Sequence, residues 1–110
     1  ENINYEKLKL HQGAINRFTQ SPTHHSLFVT VSNDQAICLW DFNRLSSNHS
    51  SDDDDDIIPL PLCVYHGHTS FVNACDFDRH TGQRFATVGS DRIVKIWDQR
   101  DSDLSMSLPL

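Results

Sequence analysis

Apolar residues fall in short runs along the chain, each closed by turn chemistry. Ala14 and Ile15 are followed by Phe18. Ser26-Leu27-Phe28-Val29-Thr30-Val31 is β-branched and aromatic, and Ala36-Ile37-Cys38-Leu39-Trp40 is apolar at nearly every position. Asn33-Asp34-Gln35 separates the last two with residues that favour turns. A second series has the same form: Phe71 to Phe77, Arg84 to Val88, the turn Ser90-Asp91-Arg92, then Ile93 to Trp97. Runs of this length and composition predict strands, and runs apolar on both faces belong in buried sheets. Leu60 to Tyr65 and Leu104 to Leu110 supply a fourth, outer strand to each series. Their prolines, Pro59, Pro61 and Pro109, suit an edge, where a missing N–H is tolerated. The expected architecture is all-β.

The two series are one pattern stated twice. A constant offset of 57 residues pairs His11 with His68, Asn16 with Asn73, Phe28 with Phe85, Thr30 with Thr87, Asp34 with Asp91, Trp40 with Trp97 and Asp41 with Asp98. Repeated units usually build binding surfaces, whereas a catalytic site usually needs unique residues. A Ser/His/Asp-like catalytic reading fails on this point, because the same set occurs twice. No Gly-rich phosphate loop, metalloprotease motif or nucleophile elbow is present either, so an enzyme is not expected.

Composition narrows the setting. No apolar run approaches the roughly 20 residues of a membrane helix, and the N-terminus has no signal-peptide pattern. Three cysteines, Cys38, Cys63 and Cys75, form no dense framework, which points to a reducing compartment, cytoplasm or nucleus. The net charge is −6, and five of the negative charges are the run Asp52–Asp56. The rest of the chain is near balance, which speaks against nucleic acid as a default partner while leaving it open. Asn43 to Ile58, with Ser46, Ser47, Ser50, Ser51 and the Asp run, reads as a solvated loop that cannot bury itself. Ser50 and Ser51 precede acids and suit an acid-directed kinase. Asn48-His49-Ser50 fits a glycosylation sequon that a reducing compartment would leave unused. The missing initial Met suggests a chain that begins inside a longer protein.

The residues resemble the WD40 repeat: a His at the start, a Ser/Thr-rich strand, a turn Asp, and Trp-Asp at the end. The second copy matches better, opening Gly67-His68 and closing Trp97-Asp98, where the first opens Leu10-His11. The resemblance divides the chain into a first repeat at 1–42, an acidic flexible loop at 43–58, a second repeat at 59–100, and an outer strand or the start of another repeat at 101–110. It implies two four-stranded antiparallel blades of a β-propeller. It also implies a hydrogen-bonded tetrad in each, His11, Thr30, Asp34 and Trp40, then His68, Thr87, Asp91 and Trp97. Propellers need about four to eight blades, so two would be a fragment of a larger ring, or a ring would need several copies. Alone, the piece is not expected to be stable, because its outer faces would lack neighbours.

Function is then expected where the copies differ. By resemblance, one face of the ring would carry Gln12, Ala14, Asn33, Thr69, Phe71 and Ser90, with Phe71 the aromatic anchor of a protein partner. The opposite face would carry Thr23-His24-His25, Arg79 to Arg84, the acidic loop and Arg100. Residues 85–100 resemble the box of WD40 substrate receptors in cullin-4 ubiquitin ligases through Asp91, Trp97, Asp98 and Arg100. Val88 and Gln99 depart from it, standing where small and aliphatic residues are usual. In such receptors the terminal Arg would dock on the damage-binding adaptor. The expected partners are thus other proteins, a cullin-4 adaptor among them, and the remaining blades of the propeller, with no membrane. An RNA- or chromatin-associated propeller is a further alternative. No cofactor or metal is expected. Cys63, His66 and His68 are closely spaced, but three ligands leave a zinc site incomplete, and the Asp run lacks the Gly and Glu of a calcium loop.

Overall fold

The computed structural model describes residues 10–43 and 60–99, and the backbone of 105–109. Asn48, Ser50, Ser51, the run Asp52–Asp56 and Arg100 lie outside the described residues. Eight strands form in chain order: β1 (Ile15–Gln20), β2 (Leu27–Ser32), β3 (Ile37–Asp41), β4 (Cys63–Tyr65), β5 (Val72–Phe77), β6 (Arg84–Gly89), β7 (Ile93–Asp98) and β8 (Ser105–Pro109). They make two antiparallel sheets in sequence order, β1-β2-β3-β4 and β5-β6-β7-β8. Each expected strand is present, with one marked contraction. The outer strand expected from Leu60 begins only at Cys63. Proline at Pro61 cannot donate to a ladder, and Leu60 and Leu62 are left exposed.

Strand alternation gives each sheet two faces. In the first sheet, Phe28, Thr30, Cys38 and Trp40 share one face, since Phe28 pairs with Trp40 and Thr30 with Cys38. Val29, Val31, Ile37 and Leu39 share the other. In the second sheet, Cys75, Phe77, Phe85, Thr87 and Trp97 occupy the face equivalent to the first of these. The sheets stack in the same sense, second on first. Val29, Val31, Ile37, Leu39 and Tyr65 form one core with Val72, Cys75, Phe77, Phe85 and Trp97. Tyr65 of the outer strand β4 reaches across to Phe85 (centroids 5.5 Å apart) and Trp97 (5.0 Å). A second cluster, Phe28, Cys38 and Trp40 with Leu10 against it, lies on the far face of the first sheet.

Burial also governs the thiols. Desolvation pushes Cys38 and Cys75 up to about 12, helped at Cys38 by the charges of Asp34 and Cys63 and opposed at Cys75 by Arg17. Thiolate is the reactive form. At pH 8 a disulfide reagent such as DTNB is therefore expected to modify the half-buried Cys63 first and the other two only on unfolding. Rapid release of three equivalents of chromophore from folded protein would contradict this placement.

Candidate functional site

Each copy builds the same hydrogen-bond network from its shared residues. In the first, Trp40 Nε1 donates to Thr30 Oγ1 (2.9 Å), the Thr30 hydroxyl meets His11 Nε2 (2.8 Å), and His11 Nδ1 meets Asp34 (3.0 Å). In the second, the distances are 2.9 Å for Trp97–Thr87, 2.8 Å for Thr87–His68 and 3.0 Å for His68–Asp91. A carboxylate can only accept, so Nδ1 carries the imidazole proton. Nε2 then presents a lone pair that accepts from the Thr hydroxyl, and the Thr oxygen accepts from the indole. In this tautomer every donor has one acceptor. The turn is tied in as well. Asp34 accepts from the N–H groups of Gln12 (2.7 Å) and Ala36 (2.8 Å), and Asp91 from those of Thr69 (2.9 Å) and Ile93 (3.2 Å). No buried side-chain N or O among the described residues lacks a partner.

These contacts depress the carboxylates. Burial alone would raise Asp34 and Asp91. The backbone N–H groups of Ala36 and Gln12 with His11, and those of Thr69 and Ile93 with His68, outweigh it and hold both below the ordinary Asp value. Asp78 is lowered too, first by the His80 N–H and then by the Thr81 hydroxyl. A carboxylate whose folded pKa is depressed contributes stability above its unfolded pKa of about 3.9. That contribution is lost as pH falls through the lower folded value. Stability is therefore expected to be insensitive to these groups from pH 5 to 7 and to decline below about pH 4. Urea titrations across that range check it, and a stability that rose on acidification below pH 4 would contradict it.

The seam between the sheets uses residues that sequence reasoning passed over. Both inner strands carry a bulge at the same repeat position, between Ile15 and Arg17 and between Val72 and Ala74. The bulge redirects the intervening Asn. Asn16 Nδ2 thus donates to Asn33 Oδ1 (2.7 Å) and, across the seam, to Val72 O (2.8 Å). Asn73 Nδ2 makes the equivalent bond to Ser90 Oγ (2.9 Å). At the opposite edge, Ser21 Oγ donates to Gly82 O (3.1 Å) and Thr23 Oγ1 to Thr81 O (3.0 Å). Gly82 is left-handed (φ 64°), and a Cβ there would stand 2.7 Å from Ser21 Oγ. Gln99 donates to Gln83 Oε1 (3.0 Å) and Gln83 lies 3.2 Å from His24 Nε2. The polar Gln99 thus has a structural use at this edge. The shared asparagines, and the Thr81-Gly82 turn opposite Ser21, were the available signals for the seam. They needed the sheet stacking to become readable.

Most of the expected binding residues are hydrogen-bonded, and Gln12, Thr69 and Ser90 are exposed as well. Asn33 and Ser90 accept from the bulge asparagines. Gln12 and Thr69 lend their backbone N–H to the turn carboxylates, and Thr69 O accepts from Gln35 Nε2 (3.4 Å). All four lie on one edge of the sheets, with Phe71. Its carbonyl accepts from Ser90 N (2.8 Å), and its side chain is 50% exposed. Ala14 occupies the matching place in the first copy. Ile15, 51% exposed, adds a second apolar side chain to this edge. Asp98 ends β7 opposite Arg84, at the other edge, and Arg100 lies outside the described residues. Among the described residues, no group of three or more His, Cys, Asp or Glu side chains is placed to hold a metal ion. Nor is any helix there long and apolar enough to cross a membrane.

Two four-stranded sheets with twin networks invite comparison with known repeats. The profile of the WD domain, G-beta repeat, matches residues 4–41 and 60–98. The chain belongs to the WD40 family. Its two sheets are successive propeller blades, and its repeats are of a kind that mediates protein–protein interaction. Among curated proteins it is similar to DDB1- and CUL4-associated factor 10 of Xenopus laevis, 36% identical over 72 residues, which is 66% of this chain and 13% of that protein. It is 30% identical over 81 residues to histone acetyltransferase type B subunit 2 of Mycosarcoma maydis, covering 74% of this chain and 17% of that protein. Polycomb group protein FIE1 of Oryza sativa subsp. japonica is 28% identical over 97 residues, 88% of this chain and 18% of that protein. The chain thus spans less than a fifth of the length of each.

Proposed function

We propose that this WD40 pair is a non-catalytic scaffold that engages a protein partner through the Phe71 edge. The observation that carries the reading is a division of labour. The eight shared tetrad residues are consumed by internal hydrogen bonds, whereas Phe71, present in one copy only, offers half its surface to solvent. Aromatic residues are the usual anchors of protein interfaces. Gln12, Asn33, Thr69 and Ser90 lie on the same edge and are fixed by hydrogen bonds of their own. Phe71→Ala in the full-length protein is expected to remove bound partners while leaving the melting temperature within about 2 °C, as an exposed substitution should. Quantitative affinity purification of both forms tests this. An unchanged set of partners at equal recovery would sink it.

A second reading is a substrate receptor of a cullin-4 ubiquitin ligase. It is supported by the similarity to DDB1- and CUL4-associated factor 10 and by the sequence Trp97-Asp98-Gln99-Arg100. An Arg fork after the last Trp-Asp strand is suited to backbone carbonyls or carboxylates. Arg100→Ala is expected to abolish co-purification with DDB1 while Phe71→Ala preserves it. Co-purification that is absent, or unaffected by Arg100→Ala, would remove this reading and leave the scaffold reading standing. The likenesses to histone acetyltransferase and Polycomb subunits support a chromatin-associated setting as a third reading.

A further inference from the structure

The seam edge away from Phe71 holds a continuous chain of hydrogen bonds from one blade to the other. Thr23 and His24 belong to the turn between β1 and β2, Thr81, Gly82 and Gln83 to the turn between β5 and β6, and Gln99 follows β7. Thr23 Oγ1 donates to Thr81 O (3.0 Å), and His24 Nδ1 lies 2.9 Å from the same hydroxyl. On the other side of the ring, His24 Nε2 lies 3.2 Å from Gln83 Nε2. Gln83 Oε1 accepts from Gln99 Nε2 (3.0 Å), which also reaches Gly82 O (3.5 Å).

Proton counting fixes the direction of every link. A carbonyl only accepts, so the single Thr23 hydroxyl proton points at Thr81 O, and Thr23 Oγ1 accepts from the ring. Nδ1 of the neutral imidazole therefore carries its proton, and Nε2 presents a lone pair to the Gln83 amide N–H. Gln83 Oε1 is left to accept from Gln99, whose amide also points at the Gly82 carbonyl.

A second proton on His24 turns Nε2 into a donor that faces a donor. The chain absorbs it by reversal. Gln83 turns its amide over to accept from Nε2, and Gln99 turns over in response to accept from Gln83. Only the long bond to Gly82 O is given up, and that carbonyl keeps Ser21 Oγ (3.1 Å). The Thr23–Thr81 bond is untouched. The two arrangements are thus close in energy, and one proton in the range where imidazoles titrate selects between them. Of the three histidines at this edge, His24 is the one whose ring is bonded to the other blade among the described residues. The His25 ring lies 3.1 Å from Pro22 O in its own turn, and His80 engages Asp78 through its backbone N–H (3.0 Å). The charged groups nearby are Asp78, Arg79 and Arg84 on the facing turn and β6, Asp41 at the end of β3 and Asp98 at the end of β7, with Arg84 3.8 Å from Asp78.

We infer that this edge is a pH-sensitive switch, in which a proton taken up by His24 on the first blade is relayed as a concerted turn of Gln83 and Gln99 on the second. The protonated edge gains the His24 charge and the Gln99 N–H groups released from Gly82 and Gln83, so it favours an acceptor-rich, anionic partner. The switch is independent of the Phe71 edge and of any cullin-4 adaptor.

Nitrogen NMR of the full chain, with labelled His and Gln and pH lowered from 8 to 5, tests it. At pH 8 the His24 proton is expected on Nδ1. As His24 titrates, the side-chain amide signals of Gln83 and Gln99 should move with the same midpoint, while those of Gln12 and Gln35 at the opposite edge stay. In Gln83→Leu, His24 should still titrate and Gln99 should no longer follow. His24→Asn, at an exposed position, should silence both glutamines, and unchanged indole N–H signals confirm that either variant is folded. A His24 proton on Nε2 at pH 8, a Gln99 signal that stays put as His24 titrates, or a Gln99 response that survives either substitution would overturn the switch.

Discussion

Trp97→Ala is expected to destabilise the chain by about 3–5 kcal/mol, as loss of a buried Trp usually does. Domains of this size are stable by only about 5–15 kcal/mol in all, so the substitution should remove a large share of that margin. The reason lies in the position of Trp97. Its ring packs against Tyr65 of the first blade, within the core shared by Val29, Leu39 and Phe85. Removing it opens a cavity at the junction and also leaves the Thr87 hydroxyl without the indole donor. Urea unfolding followed by circular dichroism measures the cost. A loss below about 1 kcal/mol would mean that the blades do not stack through this ring.

Thr87→Val keeps the shape and removes only the hydroxyl. Thr87 is fully buried between Trp97 Nε1 and His68 Nε2, so the substitution orphans one donor and one acceptor at once. Each buried polar group left unsatisfied costs about 1–3 kcal/mol, which puts the expected loss at about 2–4 kcal/mol once the imidazole relaxes. Thr30→Val should cost less, because Thr30 is 8% exposed where Thr87 is 0% and water can reach the orphaned groups. The second blade's network lies in the junction, whereas the first blade's lies on the outward face. Equal costs at the two sites, or no cost at Thr87, would show that the networks do not bear on stability as drawn. A double-mutant cycle with Trp97→Phe should return a coupling of about 1 kcal/mol or more for this contacting pair.

Most of the fold was legible because repetition and alternation speak about local backbone. The strands Leu27–Ser32 and Ile37–Asp41 are apolar on both faces, and they are the central strands of their blade, buried along nearly their whole length. The outer strand was harder to place. It pairs on one side only, so little in its pattern fixes where it starts, and the chain from Leu60 to Leu62 reads as apolar without being paired as strand. The tetrads were readable through family resemblance, and their geometry follows from the donor and acceptor counts of Trp, Thr, His and Asp. The seam was not readable in advance. Ser21, Thr23 and Asn16 are ordinary turn and strand residues until the second blade brings the carbonyls of Gly82, Thr81 and Val72 beside them. Gln99 shows the same limit, since a departure from a motif became a structural contact only with Gln83 across the turn. Of the expected binding residues, Asn33 and Ser90 are engaged by the bulge asparagines while the Phe71 side chain is exposed and apolar, a distinction that no single sequence carries.

The central claim is that the shared residues hold the fold from within and are unavailable to partners. Hydrogen exchange of the two indole N–H groups, followed by NMR on the unliganded chain, tests it most directly. Both are buried and donate to threonine hydroxyls, 2.9 Å away in each blade. The account predicts two indole signals protected as strongly as the central strand amides, without any added partner. Exchange of either indole at the rate of an exposed tryptophan, in protein that is otherwise folded, would contradict it.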